Sequence, residues 1–299
     1  MTTHPNQPTQ AILCVLWGMA ILAFIDNTVP LISDQISLWQ FHFLRSLLAV
    51  PLLALVLMAL GLRLQAKRWW AIAVRAGLLA ASMVIYFGAL GFLPISDVVA
   101  GLFASPLVVV VITALFLPER VGAVRWLAAA VGFAGTLMVL QPEVGGFTTL
   151  NAIPLAAAVF YALGSIATRT LCDGETTESM LFMYFVMMLV IGGLGVMWIT
   201  FVMPGGQTYL TRAFAWPGAQ VWAILLLQAA GSLVGIGLLL RAYIVGQAST
   251  VSIIEYSMLI FAPVVAWLYF GHTIGPLGAM GMILIITSGT VIAWRSRAQ

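Results

Sequence analysis

Four ionisable side chains stand inside or near the ends of long apolar runs: Asp26, Arg45, Asp97 and Glu255. A charge in hydrocarbon costs about 2.5–3.5 kcal/mol per residue on insertion scales, so it normally faces a wet cavity or a partner. Arg45 lies well inside the run WQFHFLRSLLAVPLLALVLMAL (39–60). A guanidinium binds a carboxylate through two parallel hydrogen bonds, which makes Arg45 a candidate anchor for a substrate carboxylate. Asp26 falls at a similar distance from the end of the preceding run, so antiparallel neighbours would place the two at matching depth. An Asp26–Arg45 ion pair is therefore expected, either as part of a cavity wall or as a purely structural pair. His42 precedes Arg45 by three residues and shares its helical face. Histidine titrates in the physiological range, so His42 is a coupling candidate. Glu255, in STVSIIEYSMLIFAP, is a candidate to carry a proton or to hold a substrate amine. Its alternative partner is Arg241. Asp97, beside Ser96, reads as a helix cap.

Six aromatic residues lie within apolar runs and away from their ends: Trp17, Tyr86, Phe103, Tyr161, Tyr184 and Tyr256. Ligand pockets are mostly apolar with a few polar anchors, and a buried tyrosine hydroxyl needs a partner. With Arg45 and Glu255 these six form the expected substrate-binding set. Core packing is the competing reading for each. Pro51, Pro106, Pro154 and Pro263 each remove a helix hydrogen bond and are candidate hinges. GSLVGIG (231–237) contains a GxxxG spacing that lets helices approach closely. No GxxxxGK[ST] phosphate loop, HExxH, GxSxG or spaced Cys/His set occurs. No catalytic group, cofactor or metal is expected, and no basic stripe points to nucleic acid. Cys14 and Cys172 read as free thiols.

These side chains need a scaffold that lives in lipid. Hydrophobic residues make up 63% of the 299 and charged residues only 7%, against about 25% charged in a soluble domain. Ten continuous apolar runs are long enough to cross a membrane as helices: roughly 11–32, 38–60, 69–91, 96–117, 122–140, 150–170, 179–203, 218–240, 249–270 and 276–294. With the N-terminus inside, ten of the twelve Lys and Arg fall on cytoplasmic segments: Arg63, Lys67, Arg68, Arg75, Arg120, Arg125, Arg169, Arg241, Arg295 and Arg297. Arg212 falls opposite and Arg45 within a span. That bias predicts cytoplasmic N- and C-termini in a bacterial-type inner (plasma) membrane. Trp39, Trp69, Trp70, Trp126, Trp216 and Trp294 lie at span ends, where indoles anchor at the interface.

Ten helices divide into two sets of five, and an odd number per set inverts the second set. A shift of 153 residues lays Ser96 on Ser249, Val98 on Val251, Leu115 on Leu268 and Gly122 on Gly275. It also lays Phe103 on Tyr256, and the Glu119 turn on the His272 turn. The expected organisation is a tail (1–10), a first repeat (11–140), a connecting loop (141–149), a second repeat (150–294) and a tail (295–299). LCVLWGMAILAF, FHFLRSLLAVPLL and ASPLVVVVITALFLPERVG resemble the drug/metabolite transporter superfamily of the EamA type. The resemblance rests on Trp17 and Gly18, Arg45, Pro106 and Glu119. The second half departs from it: Leu259 stands where a second proline falls, with Pro263 four residues later, and His272 stands where an acid is usual. In length and aromatic content the chain resembles the amino-acid exporters of the YddG kind.

The resemblance implies an all-α integral membrane protein, two inverted five-helix repeats around a central cavity, and no enzymatic activity. It implies export, by alternating access, of small amphipathic metabolites, amino acids with aromatic or apolar side chains first. The partners would be that solute, membrane lipid and protons. Two other readings stay open: a carrier for another metabolite, such as a nucleoside or sugar conjugate, and an intramembrane lipid-processing enzyme using His42 and Asp26.

Overall fold

Apolar runs become helices here because only a helix satisfies its own backbone in lipid. The computed structural model describes residues 7–89, 93, 95–117, 121–141, 149–202, 206, 208–271 and 273–297. The Glu119 and His272 turns, residues 142–148 of the connecting loop, and residues 1–6 and 298–299 of the tails lie outside these. In chain order the helices are α1 (Pro8–Asp26), α2 (Leu38–Ala59), α3 (Trp69–Ala89), α4 (Ile95–Leu102), α5 (Ser105–Phe116), α6 (Ala123–Leu140), α7 (Ala152–Thr170), α8 (Thr177–Val202), α9 (Ala219–Val245), α10 (Ala248–Ile254), α11 (Met258–Phe270) and α12 (Pro276–Arg297). Since α4 with α5, and α10 with α11, each make one span, the described residues provide ten membrane-crossing helices. Consecutive spans alternate in direction, which brings both ends of the chain to one end of the bundle, the terminal end. The helices overrun the expected tails, beginning at Pro8 and continuing to Arg297.

The repeat emerges from burial. Moving α1 and α2 along by 139 residues lays the buried Val15, Gly18, Met19, Ala23 and Ile25 on the buried Pro154, Ala157, Ala158, Ala162 and Gly164 of α7. The same shift lays Gln40, Phe41, His42, Arg45, Ser46, Ala49 and Leu53 on the buried Ser179, Met180, Leu181, Tyr184, Phe185, Met188 and Gly192 of α8. For α3 against α9 the shift is 153, pairing Ile72, Arg75, Ala76, Leu79, Ala80, Ser82 and Ala89 with Leu225, Gln228, Ala229, Ser232, Leu233, Gly235 and Ala242. Packing follows the same plan. α1 packs chiefly on α9 and α3 on α7, while α2 packs on α8 and α6 on α12.

Close contacts repeat as well. A Cβ on Gly18 would come 3.0 Å from the Gly235 carbonyl. At the equivalent crossing the Ser82 hydroxyl donates to the Ala157 carbonyl at 2.8 Å. Gly231 of the GxxxG pair presses on Ile25 and Gly235 on Leu22, both of α1, as the spacing predicts.

Caps also match. Ser37 accepts from the Gln40 amide, and Thr176 from the Ser179 amide, each at 3.3 Å, so α2 and α8 begin alike. The start of α3 is held by Glu175, whose buried carboxylate accepts from the Lys67 and Arg68 amides at 2.9 and 2.8 Å. That anchor sets the depth of everything on α3.

Both broken spans break at one repeat position. The fourth interrupts at Phe103 and Ala104, just before Pro106, whose missing N–H falls in the first turn of α5. The ninth tightens to a 3-10 turn at Glu255–Ser257, the residues that the shift of 153 lays on 102–104. Phe103 and Tyr256 stack with ring centroids 6.5 Å apart. Residues equivalent in two repeats touch each other only near the axis relating the repeats, so this stack marks the centre of the molecule. Pro51 and Pro263 lie inside α2 and α11. Pro154 lies in the first turn of α7, where its missing N–H interrupts nothing, so the expected helix break there is absent. Trp69, Trp70, Trp126, Trp216 and Trp294 are exposed as interfacial anchors would be. Trp39 instead donates to the Leu210 carbonyl at 3.0 Å.

Candidate functional site

Two polar clusters lie within the bundle, one toward each end. In the cluster away from the termini, Arg45 is placed by α2, about 10 Å in from its start at 1.5 Å per residue. It is 8% exposed. Its Nη2 lies 3.3 Å from His42 Nδ1, and its guanidinium lies over the Phe41 ring, 5.1 Å from the centroid. His42 packs edge-on against Phe41 and Phe87. Among the described residues, Arg45 Nε, His42 Nε2 and the Tyr209 hydroxyl are buried without hydrogen-bond partners. Tyr209, in the α8–α9 connection, lies within electrostatic reach of Arg45. Burial raises its phenol well above the usual range, so it remains a donor. A small void beside this cluster is lined by Leu38, Trp39, His42, Met83, Phe87 and Met188.

The Asp26–Arg45 ion pair expected from sequence is not closed: no salt bridge joins them within 4.0 Å, and the guanidinium turns to His42 instead. Asp26 remains within Arg45's electrostatic reach, and Tyr86 within that of Asp26. The helical wheel explains where Asp26 points. At 100° per residue it shares the face of α1 that buries Val15 and Met19, and at the last position of that helix it is exposed. Trp17 lies nine residues back, half a turn round, on the exposed stripe of Leu13 and Phe24, and is 65% exposed. The structure thus turns Trp17 to the bundle's outer surface, away from both clusters.

The second cluster lies toward the terminal end. Tyr243, on α9, donates its hydroxyl to Glu255 Oε1, and Tyr161, on α7, also bonds the carboxylate. Ser165 bonds Tyr243 in turn. Glu255 is buried, at the 3-10 turn of the ninth span. Arg241, its expected alternative partner, is exposed; the residue that reaches Glu255 is Tyr243, two positions on. Arg75 sits in the same region, buried on α3 rather than at the membrane surface where its position in the charge pattern put it. Its Nε donates to Thr168 Oγ1 at 2.8 Å. Tyr184, Tyr161 and Tyr243 and the Cys172 thiol lie within its electrostatic reach.

Of the expected binding set, the structure gathers Tyr161, Tyr184 and Glu255 in this second cluster, and Arg45 and Tyr86 in the first. Phe103 and Tyr256 form the central stack. Tyr256 is fully buried against α6, where a Cβ on Gly132 would come 2.6 Å from its ring, so it serves packing. Sequence reasoning missed Arg75, Tyr243, Ser165 and Tyr209. Arg75 was findable by the rule that found Arg45, since it lies six residues into its helix. Among the described residues, no three His, Cys, Asp or Glu side chains converge as metal ligands would.

Cys172 lies just beyond α7, where burial pushes its thiol up to about 11. Thiolate is the reactive form, so it is scarce at pH 7–8 and grows only as pH approaches that value. A maleimide at pH 7.5 is expected to leave Cys172 unmodified in the folded protein and to label it after denaturation, as read by mass spectrometry. Rapid labelling of the folded protein would contradict its burial.

Ten spans in two matched halves, each with a broken helix at the centre and buried polar groups on either side, define a secondary transporter architecture. Residues 9–141 and 150–294 each match the EamA-like transporter family, and the chain belongs to that family. It is 26% identical to a riboflavin transporter of Rhizobium johnstonii, over 97% of this chain and 94% of that protein. It is 29% identical to the pseudopaline exporter CntI of Pseudomonas aeruginosa, over 83% of this chain and 84% of that protein. It is 22% identical to an S-adenosylmethionine uptake transporter of Rickettsia bellii, over 72% and 71%. A solved crystal structure shares the fold with a TM-score of 0.75 at 18% identity, covering 95% of this chain and 98% of that one. The protein is therefore a multi-pass membrane transporter of small metabolites. None of these relatives is named for amino-acid export.

Proposed function

We propose that this chain moves a small amphipathic metabolite bearing a carboxylate and an aromatic or apolar part, amino acids first, across a bacterial-type inner membrane by alternating access. The net direction proposed is export. One observation carries the reading: the two spans that break at equivalent positions meet at the Phe103–Tyr256 stack, and one break places Glu255 in the interior. Mid-helix breaks at a repeat interface are where transporters hold their solutes. Arg45 anchors the carboxylate from one side of this centre. Glu255 has phenols rather than a cation around it, so it gains a proton without breaking an ion pair, and it couples transport to protons. The termini are cytoplasmic, on the strength of the Lys and Arg distribution. Family membership supports a carrier over the lipid-processing reading of His42 and Asp26.

The riboflavin-transporter relative supports a second reading, a flat heteroaromatic solute. Counterflow into liposomes holding the purified protein separates the two, using labelled phenylalanine, tryptophan and leucine beside riboflavin and S-adenosylmethionine. Exchange of the aromatic amino acids above protein-free liposomes is expected. Exchange of riboflavin alone would replace the substrate class. Turnover of lipid with no exchange of any solute would end the transport reading.

A further inference from the structure

Resting on the transport reading above, we propose that Arg75 forms a second carboxylate-binding site, the counterpart of Arg45 in the other half of the bundle, where the substrate's acid group is held on the terminal side. The placement follows from the repeat. The seam between α3 and α8 is the image of the seam between α9 and α2. In the first, Arg75 faces Tyr184; in the second, the same positions carry Gln228 and Arg45. Each seam thus has one guanidinium, on opposite members, at mirrored depth.

The packing role of position 75 does not require a charge. Its counterpart Gln228 braces α9 to α1 by donating Nε2 to the Ile25 carbonyl at 2.6 Å and to Thr28 Oγ1 at 3.1 Å. Arg75 braces α3 to α7 through Thr168 Oγ1 in the same manner. A neutral amide therefore suffices for the brace, and the permanent charge at 75 has another use. Arg75 is 4% exposed, and its Nη1 is buried with no hydrogen-bond partner among the described residues. The groups within its electrostatic reach are three phenols and a thiol, with no carboxylate among them. Glu255 is engaged with Tyr161 and Tyr243. A buried guanidinium with a free donor and neutral neighbours is complementary to an arriving anion. The surrounding Tyr161 and Tyr184 rings suit a solute whose carboxylate is attached to an apolar or aromatic body. Two such sites, one per seam, give the anion a matching cation on each side of the central stack.

The test uses the full-length protein in detergent, its thermal unfolding followed with 3-phenylpropionate, phenethylamine or phenylalanine at matched ionic strength. Arg75→Gln installs the side chain that the other seam already uses, so it should unfold without ligand within a few degrees of wild type. The expected result is that 3-phenylpropionate, and not phenethylamine, stabilises wild type, and that Arg75→Gln weakens this binding at least about tenfold. Unchanged carboxylate binding in Arg75→Gln, or no carboxylate binding by wild type, would overturn the proposal. Should Arg75→Gln fail to fold, Arg75→Lys decides: a lysine keeps the charge but not the two-point contact, so weaker 3-phenylpropionate binding that still exceeds phenethylamine binding supports the site, and unchanged affinity overturns it. Phenylalanine counterflow on the same preparations separates the two claims. Exchange by wild type together with Arg75-independent binding removes this site and leaves the transport reading. Arg75-dependent binding without exchange leaves the site and removes that reading.

Discussion

Glu255→Gln is expected to abolish accumulation driven by a pH gradient while leaving solute exchange largely intact. The substitution keeps size and shape, and the amide oxygen still accepts from Tyr243 and Tyr161, the two hydroxyls that hold the carboxylate now. What disappears is the capacity to bind a proton. A gradient moves a conformational equilibrium only through a group whose occupancy differs between the two states. Without that group the gradient has nothing to act on, and accumulation should fall at least about tenfold. Counterflow needs only a solute site that opens alternately to each side, so it persists. Both are measured in proteoliposomes, the first with an imposed pH difference and the second without. Gradient-driven accumulation at the wild-type level in Glu255→Gln would remove Glu255 from coupling. Loss of both activities would instead assign Glu255 to the solute's amine.

The second large effect is on the fold. α6 and α12 cross so closely that a Cβ on Gly135 would stand 2.7 Å from the Gly281 carbonyl, and one on Gly281 would stand 2.6 Å from the Gly135 carbonyl. Both obstacles are backbone, so a methyl group is accommodated only by moving the helices apart. The repeat places the image of this contact at Ala128 and Ser288, where the Ser288 hydroxyl donates to the Ala128 carbonyl at 2.7 Å. Separation at one contact therefore strains the other. Overpacking of this kind costs about 1–3 kcal/mol for a small group and more for a large one. Gly135→Ala should lower the unfolding temperature in detergent by several degrees, and Gly135→Leu should prevent recovery of folded protein. Gly289→Ala, on the same α12 with nothing within 4 Å of the added Cβ, should be neutral or stabilising by roughly 0.5–1 kcal/mol. Equal unfolding temperatures for Gly135→Ala and Gly289→Ala would show that the crossing tolerates separation.

Some of the site was open to reading along the chain. Arg45 announces itself because a cation so far into an apolar run must face protein or water. Glu255 does so for the same reason, and both are buried. Arg75 obeys the same rule, but six residues from a basic turn it passes for a flank. Its burial and its contact with Thr168 separate it from a flank. Tyr243 looks like any interfacial tyrosine until α9 is docked beside the 3-10 turn. Trp17 shows the opposite error: its type suited a binding site, but its angle on α1 turns it outward.

The linear order of residues determined the solvent, the number of spans and the division into halves, since hydropathy and span length are properties of contiguous segments and need no partner. Tertiary structure decided which face of each helix looks inward, that Arg45 turns to His42 and not Asp26, and that Glu255 meets two phenols. Such contacts join positions up to about a hundred residues apart. They depend on the rotation and depth of each helix, which close-packed glycines such as Gly18, Gly135 and Gly281 set by letting only one approach fit.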